Sequence, residues 1–588
     1  MNWKNWNIHP HDHEFVGKVI NKVPMSFWKH IKAKYNQINV QVGRQKANHY
    51  ILALDEKLKD MKLRIDADDQ DIRDLANKEA LACRRIKRSC KNDVITIQKI
   101  NKYVMHYGID EPKAKSEIGV IKRYLDERWW RRQLRLLHGQ KVEEIALHLN
   151  IVSNSKETYA SNASVTRRRS QKTRNRNILE ELEAVNELGD SFTLQELSDK
   201  SVSNPKLKRA ELMTRIAGFE KVSRDLGFMA DFYTLTCPSR MHSSLKNNGQ
   251  ANPKYDGTTP KESQEYLVKL WSLIRTALGN KDLPICGMRV TEPHHDGTPH
   301  WHFLLFMKPE DQKVVREVFK KYALMVDGDE KGAKEYRFKA VEVDPNKGSA
   351  AGYIAKYISK NIDGHGLDDD NHGNNATDSA ERIEAYVSTW AIRQFQFFGS
   401  PSVTIWRELR KSKIDSNDEI IQKAYKAAHQ GDWAEFLQIM GGPLVKQSER
   451  PLKLLMAWSG RPGRYDEPIG MTIIGIESDK NYVITRVRVW TINQKPGIPS
   501  SYSEYSRESR PEVPENIGDY LQEASGNPGD YRREASENPG ESRPGYSENF
   551  RKSRPDISEN SENPRPGDSE SFRNILSEFS EYSGYFSE

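Results

Sequence analysis

The sequence predicts a multidomain protein of the α+β class with an antiparallel sheet at its centre. Its 588 residues are too many for one compact core. Within residues 231–364, runs typical of strands and runs with helical periodicity follow one another in the order β-α-β-β-α-β. An Asp-Gly pair, Asp296 and Gly297, stands between the two adjacent strand runs, and such a pair is typical of a β-hairpin turn.

Local sequence patterns justify the six elements in chain order. The runs FYTLTCP and YRFKAVEV, at the two ends of the series, contain the β-branched and aromatic residues typical of strands. The apolar runs ICGMRV and FLLFM form the predicted hairpin, and the helical segments are PKESQEYLVKLWSLIRTAL and PEDQKVVREVFKKYALM. This order is that of a ferredoxin-like unit, which places both helices on one face of the sheet and leaves the other face open.

Two histidines in the second strand of the hairpin are candidates for metal binding. His300 and His302 are two residues apart, so strand alternation places both side chains on one face of the sheet. If the turn has three residues centred on its aspartate, Glu292 lies opposite His300 and offers a carboxylate oxygen as the third ligand. His294 and His295 are alternative third ligands. Two imidazoles and a carboxylate with open coordination positions suit Mg²⁺ or Mn²⁺.

A helix predicted to begin at Ser349 carries the second set of reactive side chains and can dock on the histidine face. Tyr353, Lys356, Tyr357 and Lys360 stand at positions i, i+3, i+4 and i+7, on one side of this helix. We expect a tyrosine nucleophile, with the two lysines binding a phosphate and favouring the phenolate. The alternative is an ordinary amphipathic surface helix. The apolar side is complete without the tyrosines, since it comprises Ala351, Ile354, Ala355, Ile358 and Ile362.

Together the histidine and tyrosine segments resemble the HUH endonuclease superfamily, and longer stretches are similar to the replication gene A protein family of temperate tailed bacteriophages. The similarity keeps one order from roughly residue 80 to residue 410 and weakens at both ends. The matching stretches are FYTLTCPSRMH, NPKYDGTTP, EPHHDGTPHWHFLLF, AGYIAKYISKNIDG and WAIRQFQFFGSPSVTIWRELR, with RWWRRQLR and KSVSNPKLKRAELMTRI upstream of them.

The resemblance implies a rolling-circle replication initiator with an HUH nuclease domain. Such proteins nick one DNA strand at an origin through a tyrosine, remain attached to the 5′ phosphate, and rejoin the ends after a round of synthesis. It also implies a host helicase and a host replication polymerase as partners. Two alternatives share some of these residues: an HUH transposase or relaxase, and a non-catalytic origin-binding protein.

The charge distribution indicates DNA as a partner. The formal net charge is +8, but residues 501–588 hold 10 Lys or Arg against 19 Asp or Glu, so the first 500 residues carry about +17. Trp129 and Trp130 lie within one basic cluster and can stack on unpaired bases. Alternatively, the charges are solvated helix faces and the tryptophans are core residues. The candidate DNA-contacting side chains are Arg131, Arg132, Arg167, Arg168 and Arg169.

We expect a cytosolic protein, located in the cytoplasm of a bacterial host if a phage or prophage encodes it. We expect its chain to divide into six regions. Its four cysteines have no zinc or disulfide spacing, and no apolar run is long enough to span a bilayer. The regions are a basic, mainly helical region (1–180), a helical connector (181–230), the HUH domain (231–364), a mobile polar loop (365–382), the C-terminal part of the replication protein (383–495) and a disordered acidic repeat tail (496–588).

Overall fold

The computed structural model describes residues 8–59, 63–369, 375–411, 413–460 and 462–495. The predicted acidic tail and residues 370–374 of the predicted polar loop therefore lie outside the described residues. The chain divides into two compact units. The first takes its described residues from Met1–Arg168, Ser243–Ala251 and Met456–Thr472, and the second from Arg169–His242, Asn252–Leu455 and Ile473–Glu588.

The first unit is built mainly from helices. Asp68 begins the fourth of them with a capping box, in which its side chain and that of Asp71 each accept a hydrogen bond from the other's backbone N–H. The chain passes into the second unit within α8. The helices are α1 His13–Ile20, α2 Met25–Gln41, α3 Arg44–Lys59, α4 Asp69–Arg88, α5 Asp93–Val104, α6 Glu117–Leu125, α7 Glu127–His148 and α8 Asn162–Glu181.

The two adjacent tryptophans of α7 are core residues of the first unit. Trp129 is 6% exposed and Trp130 is 0% exposed, and both pack in a cluster formed by α4, α5, α6 and α7. The indole N–H of Trp130 donates a hydrogen bond to the backbone oxygen of Tyr124 over 2.9 Å. The prediction that these tryptophans stack on unpaired bases is therefore wrong, because neither ring reaches the surface.

The second unit combines helices with antiparallel strands. Its helices are α9 Leu194–Asp199, α10 Pro205–Asp225, α11 Pro260–Gly279, α12 Gln312–Ala323, α13 Ala333–Tyr336, α14 Ala350–Ile362, α15 Ala376–Trp390, α16 Val403–Leu409, α17 Glu419–Gln430 and α18 Trp433–Ile439. The strands of the chain are β1 Leu182–Asn186, β2 Ser191–Thr193, β3 Met229–Leu235, β4 Cys286–Pro293, β5 Pro299–Met307, β6 Phe338–Glu342, β7 Phe395–Phe398, β8 Lys453–Trp458, β9 Met471–Glu477, β10 Tyr482–Ile484 and β11 Trp490–Gln494.

Smaller features complete the secondary structure. β1 pairs with β2 and β11, and β9 pairs with β10, in each case antiparallel. Because α15 begins at Ala376, the predicted polar loop of residues 365–382 is too long at its C-terminal end. Single 3₁₀ turns occur at Pro10–Asp12, Met105–Tyr107, Ser239–Met241, Pro309–Asp311 and Gln447–Glu449. Among the described helices, none is both long and apolar enough to cross a bilayer.

The central sheet has five strands in the order β6-β3-β5-β4-β7, and every neighbouring pair is antiparallel. The predicted succession of strand, helix, hairpin, helix and strand is confirmed as β3, α11, β4, β5, α12 and β6. The fifth strand, β7, was not predicted. Its four residues are too few to show a clear alternation, and they pair with β4 from a position about 100 residues further along the chain.

Both faces of this sheet are covered by helices. Tyr233, Trp301, Phe303 and Leu305 pack against α11 and α12, which confirms the prediction that those two helices share one face. The opposite face, which includes Phe232, packs against α10, α14 and α16 to α18. The prediction that the tyrosine helix docks on this face is therefore confirmed, but the face is not otherwise open, because apolar residues of α10 and α16 to α18 bury the rest of it.

The hairpin between β4 and β5 has the predicted three-residue turn. The backbone N–H of His294 donates to the oxygen of Thr298 over 2.8 Å, which leaves three residues between the paired positions. Gly297 in this turn has φ +80°, a left-handed conformation that glycine adopts without steric cost. The turn fixes the register in which Glu292 is paired with His300.

Gly287 provides a test of how closely β4 and β5 approach. Its φ is +146°, and a Cβ added there would lie 2.0 Å from the backbone oxygen of Leu304. We expect Gly287→Ala to lower the Tm of the full chain markedly, since backbone strain and overlap together cost about 3 kcal/mol. Gly257→Ala is the matched control, because Gly257 also has a positive φ but no described atom lies within 4 Å of the added Cβ. Equal Tm values for the two variants would contradict this account of the packing.

Candidate active site

Three side chains of the β4–β5 hairpin converge on the face covered by α14. Nε2 of His300 and Nε2 of His302 are 2.9 Å apart. Oε2 of Glu292 lies 3.1 Å from the Nε2 of His302 and 3.6 Å from that of His300. All three residues are buried, with exposures between 2% and 9%. The predicted placement of the two histidines and Glu292 on one face is therefore confirmed.

Burial and the ammonium of Lys360 have large effects on the pKa values of Glu292 and His300. Burial alone would raise the pKa of Glu292, but the charge of Lys360 and the neighbouring imidazoles outweigh burial and hold that pKa well below its usual value. Burial, together with the proximity of His302, places the pKa of His300 well below the ordinary value for histidine. Glu292 is therefore a carboxylate and His300 a neutral imidazole at neutral pH.

The donor set fits a divalent cation. Among the described residues, this is the one group of three such side chains whose ligand atoms lie within 4.8 Å of one another. Separations of 2.9–3.6 Å are those of neighbouring ligands on one ion with bonds of about 2.0–2.2 Å. The hydroxyl of Thr234 lies 3.1 Å from Nδ1 of His302, and a proton held there leaves the Nε2 lone pair directed at the group.

The two alternative third ligands do not join this group. The ring of His294 is half-buried and packs 4.0 Å from that of His300, measured between centroids. Burial and the surrounding histidines lower the pKa of His294 well below its usual value. His295 is buried within the turn. Glu292 is thus the third side chain at the converging site.

Helix α14 is held in place at its N-terminus by two side chains. The hydroxyl of Ser349 accepts a hydrogen bond from the N–H of Gly352 over 3.0 Å, which confirms the predicted N-cap. The carboxylate of Glu220, from α10, accepts hydrogen bonds from the N–H groups of Ala350 and Ala351 over 2.8 and 2.9 Å. An anionic side chain at this position also complements the helix dipole.

The two tyrosines of α14 differ in their distance from the converging group. The ring of Tyr357 lies 4.0 Å from the ring of His302, measured between centroids, and 5.2 Å from Phe232. Tyr353 lies one turn earlier, 6.4 Å from Phe232. Both tyrosines are half-buried. Tyr357 is therefore the tyrosine in direct contact with a candidate metal ligand.

The two lysines of α14, which were predicted to bind a phosphate and favour the phenolate, lie in different environments. Lys360 is 3% exposed and forms a buried ion pair with Glu292, while Lys356 is half-buried on the same helix. Burial raises the pKa of Tyr357, and the nearby carboxylate raises it further. The prediction that the lysines favour the phenolate is wrong for Tyr357 in this arrangement, because Lys360 is occupied by the carboxylate.

Comparison with known proteins identifies the family. The model of the bacteriophage replication gene A protein family matches residues 44–365, which is more than half of the chain. The chain belongs to the bacteriophage replication gene A protein family. The match includes the hairpin with Glu292, His300 and His302 and the helix with Tyr353 and Tyr357.

Relatives of this gene A family member carry related names. A probable replication protein P12 of Pseudoalteromonas phage PM2 is 37% identical over 68% of this chain and 63% of that protein. The replication gene A protein of Escherichia phage 186 is 40% identical over 64% of this chain and 56% of that protein. A probable replication endonuclease from a prophage-like region of Salmonella paratyphi A is 34% identical over 61% and 47%. The chain thus spans about half to two thirds of these relatives' length, and no solved structure matches it.

The arginines predicted to contact DNA occupy different environments in this family member. Arg132 is exposed and donates to the hydroxyl of Tyr465 over 3.4 Å, and Arg131 is half-buried. Arg167 is also half-buried, and burial lowers the pKa of its guanidinium. The prediction is wrong for Arg168, which is only 9% exposed. Arg169 is exposed and forms an ion pair with Glu381 through two hydrogen bonds. DNA contact stays a prediction for Arg131, Arg132, Arg167 and Arg169.

Three residues that position the site were missed by the sequence analysis. Thr234 and Phe232 contact His302 from β3, and Glu220 caps α14 from α10. The alternation of β3 indicates which face Phe232 and Thr234 occupy, so their proximity to the histidines could have been inferred once the strand order was known. No local pattern indicates the contact made by Glu220, since it lies 130 residues before its partners.

Metal binding can be measured directly in this gene A family member. We expect the full chain to bind Mn²⁺ in calorimetric titration, and His302→Ala to weaken binding by about 100-fold or more, because one of three ligands is lost. His49→Ala is the control, since His49 is an exposed histidine of α3 outside the site. Unchanged Mn²⁺ affinity in His302→Ala would show that the ion binds elsewhere.

The ion pair of Lys360 gives a second expected result. Lys360→Met leaves the carboxylate of Glu292 buried without its ammonium, so the Tm of the metal-free protein should fall markedly, by the equivalent of about 3 kcal/mol. Added Mn²⁺ should raise the Tm of this variant more than that of the unmodified chain, because the cation replaces the lost positive charge. Lys356→Met serves as the matched control. If both variants melt alike with and without Mn²⁺, the ion pair has no such role.

Proposed function

We propose that this chain is a site-specific and strand-specific DNA endonuclease that nicks a phage replication origin in rolling-circle replication. The observation that carries the proposal is the contact between Tyr357 and His302, which places a phenol beside a donor set suited to a divalent cation. Membership of the gene A family supports it, as do relatives named replication endonuclease. The five-stranded sheet would then be an HUH nuclease domain of the ferredoxin-like type.

The residues of the site divide into ion-holding and nucleophilic groups. Glu292, His300 and His302 would hold Mg²⁺ or Mn²⁺, which when bound supplies positive charge to polarise a phosphate oxygen. Tyr357 attacks the phosphorus in line: its phenolic oxygen forms a bond to phosphorus, the bond from phosphorus to the 3′ oxygen breaks, and the 3′ oxygen takes up a proton. The phenolic proton is lost to water and the 3′ oxygen takes up one proton, so the step is balanced.

The product of this step is a 5′-phosphotyrosine link with a free 3′ hydroxyl. The link conserves the energy of the phosphodiester, so attack by a 3′ hydroxyl reverses the step and rejoins a strand without nucleotide hydrolysis. Tyr353, one helical turn away, is a second nucleophile that can cut the regenerated origin while Tyr357 is still joined to DNA. In this scheme, which takes place in the bacterial cytoplasm, a host polymerase extends the strand and a host helicase displaces it.

Two other functions are compatible with part of the site. An HUH transposase or relaxase would use the same nucleophile and ion, but the family match over residues 44–365 favours an initiator. A non-catalytic origin-binding protein would have no need for a tyrosine against a metal ligand. The contact between Tyr357 and His302 therefore favours a nuclease over a binding protein.

The proposal is tested with supercoiled DNA that carries the gene for this chain, incubated with the full chain and Mg²⁺ or Mn²⁺. We expect nicked circles with protein attached to the 5′ end, and peptide mapping should find the adduct on Tyr357 or Tyr353. Chelator or His300→Ala should abolish the adduct. Nicks without attached protein would mean that water is the nucleophile, and intact circles under all of these conditions would favour a binding protein.

Tyrosine variants separate the two nucleophiles. We expect Tyr357→Phe to reduce the rate of the first cleavage by at least about 100-fold, because its ring contacts His302, and Tyr353→Phe to have a smaller effect on that step. Tyr322→Phe is the control, since Tyr322 is a partly buried tyrosine that packs with the cluster on the opposite sheet face. An adduct formed at the normal rate in Tyr357→Phe would instead make Tyr353 the first nucleophile.

A further inference from the structure

The edge strand β7 passes directly beside the candidate active site. The backbone N–H of Thr291 donates to the oxygen of Gln394 over 2.7 Å, which continues the β4–β7 pairing past the end of the strand. The same register places Arg393 opposite Glu292, one position further along. Arg393 is exposed at the edge of the sheet. An arginine that nothing above has assigned thus neighbours a candidate metal ligand.

The backbone around Arg393 is fixed on both sides. Its oxygen accepts hydrogen bonds from the hydroxyl of Thr291 over 3.3 Å and from the guanidinium of Arg289 over 3.5 Å. The side-chain amide of Gln394 donates to the backbone oxygen and the side-chain oxygen of Asn361, over 3.1 and 3.0 Å. Since Asn361 lies in α14, this position is tied both to β4 and to the tyrosine helix.

A second cation and an aromatic ring extend this edge. Phe395 begins β7 two residues after Arg393, and its ring lies on the face of the sheet that packs against α14. The ring of Phe395 is half-buried, and the ammonium of Lys208, from α10, lies 5.4 Å from the ring centroid. Cations that contact phosphates, interleaved with an aromatic side chain that can stack on a base, are the common elements of single-strand binding surfaces.

We propose that Arg393, Phe395 and Lys208 bind the single-stranded DNA adjacent to the phosphate that is cut. Arg393 contacts a backbone phosphate, for which the planar guanidinium offers paired N–H donors. Phe395 stacks against a base, and Lys208 neutralises the next phosphate. The inference rests on the proposed function, because the nicked strand is its ligand. The inference predicts that the nicked DNA strand runs along β7 and past Glu292.

The test measures affinity in the absence of a divalent ion. Binding of the full chain to a fluorescein-labelled oligothymidylate is followed by fluorescence anisotropy in chelator, over a series of salt concentrations. We expect Arg393→Gln to weaken binding about tenfold at low salt and to reduce the slope of log affinity against log salt by about 0.7, the value for one lost phosphate contact with a single strand. Arg275→Gln is the matched control, since Arg275 is an exposed arginine of α11.

A charge-conserving variant keeps the test informative if Arg393→Gln is unstable. Arg393→Lys should retain the salt slope and bind with intermediate affinity, since it keeps the charge and loses the paired donors. Unmodified affinity and slope in Arg393→Gln, with a normal Tm, would overturn the inference. Because this binding needs no cleavage, the two proposals fail separately. An adduct with Arg393-independent binding refutes only the inference, and Arg393-dependent binding without an adduct refutes only the nuclease.

Discussion

The buried ion pair between Lys360 and Glu292 is the interaction on which the arrangement of the site depends. A buried charge is stable only when it is paired, so α14 must lie where its lysine reaches the carboxylate of β4. Tyr357 precedes Lys360 by three residues and stands on the same side of the helix. Once the ion pair forms, the phenol is brought against His302, and the helix cannot turn without separating two buried charges.

The parts of the site set by local sequence were predictable. The spacing of His300 and His302 fixes their common face, the Asp-Gly turn fixes the register that sets Glu292 opposite His300, and the hydroxyl of Ser349 begins α14. Each of these features depends on residues within about ten positions of one another. The periodicities of the strand and the helix therefore sufficed to predict the order of the six central elements.

The parts set by distant contacts were not predictable. Lys360 has the spacing of a solvated lysine, and only Glu292, 68 residues earlier, explains its burial. The covering of the histidine face depends on helices that lie about 50 to 140 residues away along the chain, and β7 joins the sheet from about 100 residues away. Trp129 and Trp130 stand in a basic run that resembles a nucleic-acid surface, yet packing among four helices decides their position. The composition of a segment shows that it contains basic and aromatic residues, but it does not show which side of the helix is buried.

Helix α10 holds α14 at both ends. Glu220 accepts hydrogen bonds from the first N–H groups of α14, and Arg209 forms an ion pair with Asp363, the residue that ends it. Contacts at both termini oppose sliding of α14 along its axis and tilting of the helix. In the proposed mechanism the DNA therefore moves relative to α14, and a phosphate has to shift by one helical pitch, about 5.4 Å, to reach Tyr353 instead of Tyr357.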